Sequence, residues 1–543
     1  MTMSYEAAAR LSDTLLAARV VERIWARDPV VWGAAPGSGD AASIANRLGW
    51  LDVGDTMRLH RERLKQLADE VHAEHLSTVY LVGMGGSSLC AAVLRSVFGT
   101  APGFPDLVIL DTTDEKTLAG VAERLDPERS AFLIASKSGG TVEVSAMERF
   151  FWPQVAAARG VSAGHHFIAV TDPQTALETL AHARGYREIF QNPPDIGGRF
   201  SALSLFGLVP AAMLGAPVDR LLAAAEAMAD GCRQHNHANA GLELGAFMGA
   251  AALEGRDKLT VSLAPALAAL GLWIEQLVAE STGKHGKGLL PVVDEPLGAP
   301  GDYGNDRVFV SVATESESPD ESRLSALSAA GFPVLRLSTR LDALGAEFFR
   351  WEFATAVAGA ALGINPFDEP NVSEAKEKTR ALLADYGANG VLHDRAIGTD
   401  DTVAAVRAAI ESLQPRDYVA FLSYLPAGPE VESAVRAVRS RLRARSKVAS
   451  TFGVGPLYLH STGQYHKGGP NTAVAFVLTA DDSTTTAVPE AGYSFAVLKR
   501  AQALGDIEAL QAHGRRVVRI HVADPADAAN AITRMFNEAL SRD

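Results

Sequence analysis

The chain has 543 residues, of which 47% are hydrophobic, and a formal net charge of −14 at pH 7. This length suffices for roughly three or four units with cores of their own. The acidic balance argues against binding to nucleic acid or to a membrane surface, because both are anionic. The two cysteines, Cys90 and Cys232, show no metal-ligand spacing. They predict neither a disulfide framework nor a structural zinc, and favour a reducing, cytoplasmic compartment.

The first 29 residues scatter Glu, Asp and Arg through an apolar pattern. This predicts an amphipathic helix and not a signal peptide, which needs an uncharged apolar core. Elsewhere, no uncharged apolar run reaches the length of a membrane span. We therefore expect a soluble protein.

From about residue 78, short β-rich runs alternate with longer helical patterns. The first series of strand-like runs is TVYLVGM, LVILD, AFLIAS and HFIAVTD, and the second is KLTVSLA, GLLPVV, RVFVSVA and PVLRLS. A helical stretch from Ser201 to about Gly255 separates the two series. A third region begins near Asp394 and contains DYVAFLSYL, TAVAFVLT and RVVRIHV. Such alternation predicts parallel sheets covered by helices on both faces.

The segment GMGGSSL, residues 83–89, joins a strand-like run to a helical one. Glycines before a helix N-terminus suit an anion, because backbone N–H groups are free there. The segment lacks the Lys of a Walker loop, and Ser88 stands where a dinucleotide fingerprint has its third glycine. Taken alone, it fits a bare turn as well as a ligand site.

A second candidate anion site is IASKSGGT, which places Ser136, Lys137, Ser138 and Thr141 between a strand and a helix. Hydroxyls, backbone N–H groups and a helix dipole converge there, which favours a phosphate. The alternative is a helix cap with spare hydroxyls. Three hydroxyls exceed what a cap needs, so the pattern favours the phosphate.

Three further segments carry candidate catalytic groups. Arg199 follows two glycines and precedes a helix, where a guanidinium can face an oxyanion or simply form a salt bridge. Gln276 and Glu280 share one face of an apolar helix, and desolvation there would raise the pKa of the carboxyl towards that of a useful base. The alternative is a polar helix end that faces water. Lys376 lies on a charged helix, where a lysine is normally solvated.

Five motifs in this order, GMGGSSL, SKSGGT, GGRFS, ESTGK and NPFDEPNVSEAK, resemble those of the glucose-6-phosphate isomerase family. That family is built from two sugar isomerase (SIS) domains. The resemblance covers about residues 70–390 and implies an α/β fold: two tandem SIS-type three-layer domains with parallel sheets, plus a C-terminal α/β region. The expected boundaries are 1–65 for a helical segment, 66–235 and 236–392 for the SIS domains, and 393–543 for the remainder.

The resemblance implies an isomerase of glycolysis and gluconeogenesis that interconverts glucose 6-phosphate and fructose 6-phosphate through a cis-enediolate. Glu280 would move a proton between C1 and C2, Arg199 would stabilise the enediolate, and Lys376 would assist at the ring-oxygen end. The family needs no metal or cofactor and is usually dimeric, so the expected partners are a sugar phosphate and a second copy. The implied substrate-binding residues are Gly86, Ser87, Ser136, Lys137, Ser138, Thr141 and Gln276.

The chain departs from the family pattern at three places. Glu369 stands where the family often has Gln, and YGNDRVF lacks the ring-opening His of the family's NGQHAF-like segment. The C-terminal region resembles the isomerase half of fused transaldolase–isomerase proteins, which carry a similar LHSTGQYHKGGPN. No transaldolase barrel fits in the N-terminal segment. In the Gly/Pro-rich segment 455–471 we expect His466 to open the ring, with His285 as its rival and a smaller effect from His460.

Three other functions remain open at this point. The enzyme could also accept mannose 6-phosphate, because one epimeric hydroxyl is read by local geometry. A non-catalytic SIS sugar-phosphate sensor would need neither Glu280 nor Lys376 and typically carries a DNA-binding helix pair, which is not apparent. An aminosugar synthase needs an N-terminal cysteine nucleophile, and no cysteine precedes Cys90.

Overall fold

The computed structural model describes residues 3–392, 402–426, 428–482 and 485–541. The strands in these ranges form three sheets, and neighbouring strands in each sheet run parallel. A parallel pair requires a crossover, and helices supply most of these crossovers. The α/β fold with parallel sheets between helical layers is therefore confirmed.

The N-terminal segment is helical, but its first helix is shorter than the sequence predicts. Instead of one helix over 29 residues there are two, because Arg19 adopts a left-handed conformation with φ of 54°. A left-handed residue cannot continue a right-handed helix. The helices of this segment are α1 (Met3–Ala17), α2 (Val20–Trp25), α3 (Gly39–Ala45), α4 (Val53–Arg58) and α5 (Arg61–Ala73).

The first sheet has the strand order β2-β1-β3-β4-β5. It consists of β1 (Thr78–Val82), β2 (Asp106–Leu110), β3 (Ser130–Ala135), β4 (Phe167–Thr171) and β5 (Glu188–Gln191). Alternate side chains enter different cores, with Val79 on one face of β1 and Tyr80 on the other. The helices between these strands are α6 (Leu89–Phe98), α7 (Glu115–Glu123), α8 (Val142–Arg159) and α9 (Ala176–Ala183).

The helical stretch predicted from Ser201 to about Gly255 divides into three helices. They are α10 (Leu205–Met213), α11 (Val218–Cys232) and α12 (Ala240–Leu253). The second sheet follows, with the order β7-β6-β8-β9. Its strands are β6 (Lys258–Leu263), β7 (Leu290–Val292), β8 (Arg307–Ala313) and β9 (Val334–Ser338). Its helices are α13 (Leu270–Thr282), α14 (Glu321–Ala329) and α15 (Leu344–Leu362), and α16 (Val372–Asn389) leads away from it.

The C-terminal region forms the third sheet, with the order β11-β10-β12-β13. Its strands are β10 (Tyr418–Ser423), β11 (Ala449–Val454), β12 (Ala473–Ala480) and β13 (Arg516–Val522). Its helices are α17 (Thr402–Glu411), α18 (Pro429–Ser446), α19 (Gly463–Gly468), α20 (Phe495–Ala512) and α21 (Ala528–Leu540). The sequence pattern missed β11, as it missed β5 in the first sheet. The predicted domain boundaries stay predictions, and the predicted start of this region near Asp394 lies outside the described residues.

Two shared hydrophobic cores join the three sheets. One core contains side chains of β1 and of β6, such as Leu81 and Val261, together with the N-terminal helices. Another contains Val292 of β7 and Ala420 of β10. Among the described residues, no helix is both long and apolar enough to cross a membrane.

Candidate active site

A cavity of about 350 Å³ lies where loops after β1, β3 and β4 meet helices of the second sheet. Because these strands are neighbours and parallel, their carboxyl ends share one edge of the sheet, where ligands of α/β proteins commonly bind. The volume falls in the usual range for a small-molecule site. Nine of the residues predicted from the sequence line this cavity: Gly86, Ser87, Lys137, Ser138, Thr141, Arg199, Gln276, Glu280 and Lys376.

The glycines of the loop after β1 permit a close approach of three segments. A Cβ atom on Gly86 would lie 2.0 Å from the carbonyl oxygen of Gly198. Gly85 has φ of +56°, and a Cβ atom there would lie 2.7 Å from the carbonyl oxygen of His460. These positions require glycine, because any side chain would separate the loop from Arg199 and from the C-terminal region.

The hydroxyl-rich loop after β3 ends at the first turn of α8. The Ser136 and Thr141 hydroxyls lie 3.1 Å apart. Thr141 stands at the N-cap of α8, yet its side chain forms no capping hydrogen bond. The first amides of a helix have no partner within the helix, so they are available to an anion. The Ser136 side chain is buried beneath the loop, where it contacts Thr141, whereas the Ser138 side chain is exposed.

Lys137 is held by an acid that the sequence analysis did not include. Its ammonium pairs with Asp172, which follows β4, and donates a hydrogen bond to the carbonyl of Pro194 at 3.0 Å. Burial lowers the pKa of Lys137, while Asp172 opposes that shift. Arg47 of the N-terminal segment also lines the cavity and adds a second positive charge beside Lys137. Lys137 and Asp172 follow the neighbouring strands β3 and β4, so their proximity could have been predicted from the strand order. No local pattern indicates that Arg47 lies at the site.

The carboxylate best placed as a base is Glu280, near the end of α13. Its Oε2 accepts a hydrogen bond from Nε2 of Gln276, one turn earlier, at 3.1 Å. Glu280 is 8% exposed. Burial raises the pKa of this carboxyl, Arg199 opposes the rise, and the negative charge of Glu369 adds to it. A carboxyl with a raised pKa is a better proton acceptor than an ordinary surface glutamate.

Arg199 connects the base to the segment that precedes α16. Its Nη1 lies 3.3 Å from Oε1 of Glu280 and 3.1 Å from Oε2 of Glu369. Its other nitrogens donate to the carbonyls of Pro366 and Asp368 and to the hydroxyl of Ser281 at 2.7–2.8 Å. With these contacts the guanidinium is fixed before a ligand arrives, which is the condition for stabilising a developing oxyanion.

His460, from the C-terminal region, completes the cavity wall. Its Nε2 lies 2.9 Å from Oε1 of Glu143, and its carbonyl accepts a hydrogen bond from Gln276 at 2.8 Å. Glu143 also accepts a hydrogen bond from Gln502 at 2.7 Å. Burial alone would raise the pKa of Glu143, but the charge and hydrogen bond of His460 bring it below its usual value. Lys376 contributes to the same lowering and therefore lies near this pair.

His466 does not line the cavity. The predicted loop 455–471 is instead a 3-10 turn at Leu457–His460 followed by α19. His466 is 2% exposed, and its Nδ1 lies 2.9 Å from the Tyr418 hydroxyl. Burial lowers its pKa to about 3. The structure therefore does not place His466 where it could reach a sugar, and the rival His285 is exposed on the turn after α13.

Glu143 was missed because an acid in the first turn of a helix is typical of any helix, where it favours the dipole. Its contacts with His460 and Gln502, 317 and 359 residues later in the chain, distinguish it. Among the described residues, no group of three His, Cys, Asp or Glu side chains is placed to hold a metal ion.

Comparison with known proteins supports one family. A family model described as phosphoglucose isomerase matches residues 51–294. A glucose-6-phosphate isomerase of Rubrobacter xylanophilus is 31% identical over 387 residues, which cover 61% of this chain and 88% of that protein. A glucose-6-phosphate isomerase of Lactobacillus helveticus is 30% identical over 397 residues, which cover 64% of this chain and 88% of that protein.

Solved structures share the fold. A hypothetical protein from Thermus thermophilus has a TM-score of 0.60 at 24% identity, covering 70% of this chain and 97% of its own. A glucose-6-phosphate isomerase from Chlamydia trachomatis has a TM-score of 0.56 at 18% identity, and the match covers 74% of this chain and 88% of that chain. With nearly nine-tenths of a relative matched at 31% identity, the chain belongs to the phosphoglucose isomerase family.

Proposed function

We propose that this protein interconverts glucose 6-phosphate and fructose 6-phosphate, with Glu280 as the base. The observation that carries the proposal is the pairing of a buried carboxylate with a fixed guanidinium, 3.3 Å apart, in a cavity that also contains a hydroxyl-rich loop. An aldose–ketose isomerase requires these three parts: a base, a group that stabilises an oxyanion, and an anchor for the phosphate.

The phosphate is anchored at the N-terminus of α8. Thr141 and Ser138 present hydroxyls to the cavity, Ser136 orients Thr141, and the first amides of the helix point to the same place. Ser87 and Lys137 line the same cavity. The Lys137 charge is shared with Asp172, so Arg47 supplies the additional positive charge that a dianionic phosphate favours.

The ring must open before any carbon-bound proton can move. Opening removes the proton of the C1 hydroxyl to solvent in the cavity, breaks the bond between C1 and the ring oxygen, and delivers a proton to that oxygen. We assign the delivery to His460, whose imidazole is oriented by Glu143, with the Lys376 ammonium beside the charge that develops. This assignment replaces His466.

Isomerisation then follows in three proton transfers. The Glu280 carboxylate removes the C2 proton of the aldose, and the electron pair moves towards the C1 carbonyl oxygen to give a cis-enediolate. Arg199 stabilises the negative charge on that oxygen. The hydroxyl proton of O2 then moves to O1, and Glu280, now protonated, returns its proton to C1 as the C2 carbonyl forms, which completes the ketose. Gln276 keeps the carboxyl in position through its 3.1 Å hydrogen bond.

The test is an assay in which purified protein converts fructose 6-phosphate and the glucose 6-phosphate formed is measured with a coupling enzyme. A chelator is present throughout, and mannose 6-phosphate is run in parallel. We expect turnover of fructose 6-phosphate in wild type and its near loss in Glu280→Gln. Absence of glucose 6-phosphate from folded wild-type protein would overturn the proposal, and turnover of mannose 6-phosphate would extend the substrate range.

We further propose that the enzyme is a cytoplasmic homodimer related to the isomerase half of fused transaldolase–isomerase proteins. The segment LHSTGQYHKGGPN, residues 459–471, supports the relation, and the two free, buried cysteines support a reducing compartment. The dimer is carried over from the family resemblance alone. Light scattering behind size-exclusion chromatography should give twice the mass of the chain. A monomer at micromolar concentration that retains full specific activity would contradict the dimer.

A further inference from the structure

A second cavity, of about 380 Å³, adjoins the candidate active site. It lies between α8, α16 and two segments of the C-terminal region. The two cavities have a common wall that contains Ser138, Thr141, Lys376 and His460. The hydroxyls proposed to anchor the substrate phosphate therefore stand between two spaces, and the isomerase reaction described above uses only one of them.

Three cations line the second cavity: Arg149 on α8, and Lys376 and Arg380 on α16. Within the described ranges, none of them forms a hydrogen bond or an ion pair with the protein. Lys376 and Arg380 are four residues apart on one helix, a spacing at which like charges destabilise the helix.

The acid that lines this cavity, Glu143, forms its direct contacts with other groups, although Lys376 lies near enough to lower its pKa. Glu143 is bound to His460 at 2.9 Å and to Gln502 at 2.7 Å. The remaining wall is mainly apolar, with Val372, Leu383 and Val488 among its side chains. The cavity thus combines a surface for a carbon skeleton with three cations that have no direct ion-pair partner among the described residues, and two of them, Lys376 and Arg380, are exposed.

We propose that this cavity is a second phosphate subsite, which lets the enzyme bind a bisphosphorylated sugar across both spaces. One phosphate would occupy the loop at Thr141, and the other would bind the guanidinium groups of Arg149 and Arg380. Arginine suits this role because its planar fork donates two hydrogen bonds to phosphate oxygens. A ligand that spans the common wall excludes the substrate, so a bisphosphate is a competitive inhibitor. This inference rests on the proposed function.

The test uses two acyclic probes that differ only in the second phosphate, sorbitol 6-phosphate and sorbitol 1,6-bisphosphate. Neither has a carbonyl group, so neither is turned over. Calorimetry at constant ionic strength gives both dissociation constants for wild type and for the double variant Arg149→Gln/Arg380→Gln. We expect wild type to prefer the bisphosphate, and the ratio of the two constants to change by about tenfold or more in the variant, as for loss of charge-assisted hydrogen bonds.

The matched control is Arg336→Gln/Arg340→Gln, which removes the same charge from an exposed part of the second sheet. It should leave the ratio unchanged, and thermal unfolding verifies the fold of both variants. An equal loss of affinity for the two probes would assign the cations to the ordinary substrate and overturn the subsite. An unchanged ratio would overturn it as well. Binding is measured without turnover. A protein that lacks isomerase activity but still prefers the bisphosphate would therefore contradict the proposed activity and leave the proposed subsite intact.

Discussion

The two sides of the active-site cavity have different origins in the sequence. On one side, the loops at 83–89 and 136–141 follow neighbouring strands, so the pairing of β1 with β3 brings them together. On the other side, His460 reaches Glu143 across 317 residues. The first side is determined by local motifs and sheet order, whereas the second depends on how a third sheet packs against the first two.

This difference decides which histidine can act. His460 and His466 are six residues apart in one Gly/Pro-rich segment. His460 ends a 3-10 turn and faces the cavity, while His466 lies in α19 against the Tyr418 side of the third sheet. Composition alone treats the two as equivalent, but the fold places His460 on the cavity wall and His466 in the core.

Glu280→Gln should have the largest effect, because it removes the proposed base, a residue that a local motif predicts. We expect the turnover number to fall by about 10²- to 10⁴-fold, with little change in substrate binding. Glu275→Gln is the matched control: it lies on the same helix, is buried, and lines a different cavity. Retention of more than about a tenth of wild-type turnover by Glu280→Gln would remove this residue from its role.

His460→Ala and His466→Ala compare the two histidines directly. We expect His460→Ala to slow turnover of cyclic fructose 6-phosphate by about 10²-fold. It should spare 5-deoxyfructose 6-phosphate, which lacks the oxygen that closes the ring. His466→Ala should instead lower the free energy of unfolding by about 1–3 kcal/mol, since it breaks a buried hydrogen bond to Tyr418. Equal losses on both substrates in His460→Ala would contradict the ring-opening role.

The sequence predicted the parallel α/β fold because short apolar strand-like runs alternate with longer helical patterns. It missed β5, because EIFQ is only four residues long, and β11, because ASTFGV contains a glycine and two polar residues. At the site, spacing predicted the contact between Gln276 and Glu280, which are one helical turn apart. Arg47 and Glu143 could not be predicted in this way, because their partners are distant in sequence and become neighbours only through tertiary packing.

Ser136→Ala/Thr141→Ala should have a smaller effect than either catalytic change. Phosphate contacts persist from the bound substrate to the transition state, so their loss mainly raises KM, by about tenfold for one or two hydrogen bonds. Steady-state kinetics with fructose 6-phosphate measures the change, and Ser322→Ala on α14 is the control. An unchanged KM would place the phosphate elsewhere, with the second cavity as the next candidate.

Glu369→Gln should have the smallest effect. It changes the residue that shares Arg199 with Glu280. Glu369 binds Arg199 at 3.1 Å, and its negative charge adds to the raised pKa of Glu280, whose largest cause is burial. Removing that charge lowers the pKa of Glu280, both directly and because Arg199 then pairs with Glu280 alone. A base must be deprotonated to act, so the acidic limb of the profile of kcat/KM against pH should move to lower pH. KM should also fall slightly, because the substrate is an anion and one negative charge beside it is removed.

Glu377→Gln, on the exposed side of α16, is the control and should leave the acidic limb of the pH profile unchanged. A limb that moves to higher pH in Glu369→Gln would show that another group limits the reaction at low pH.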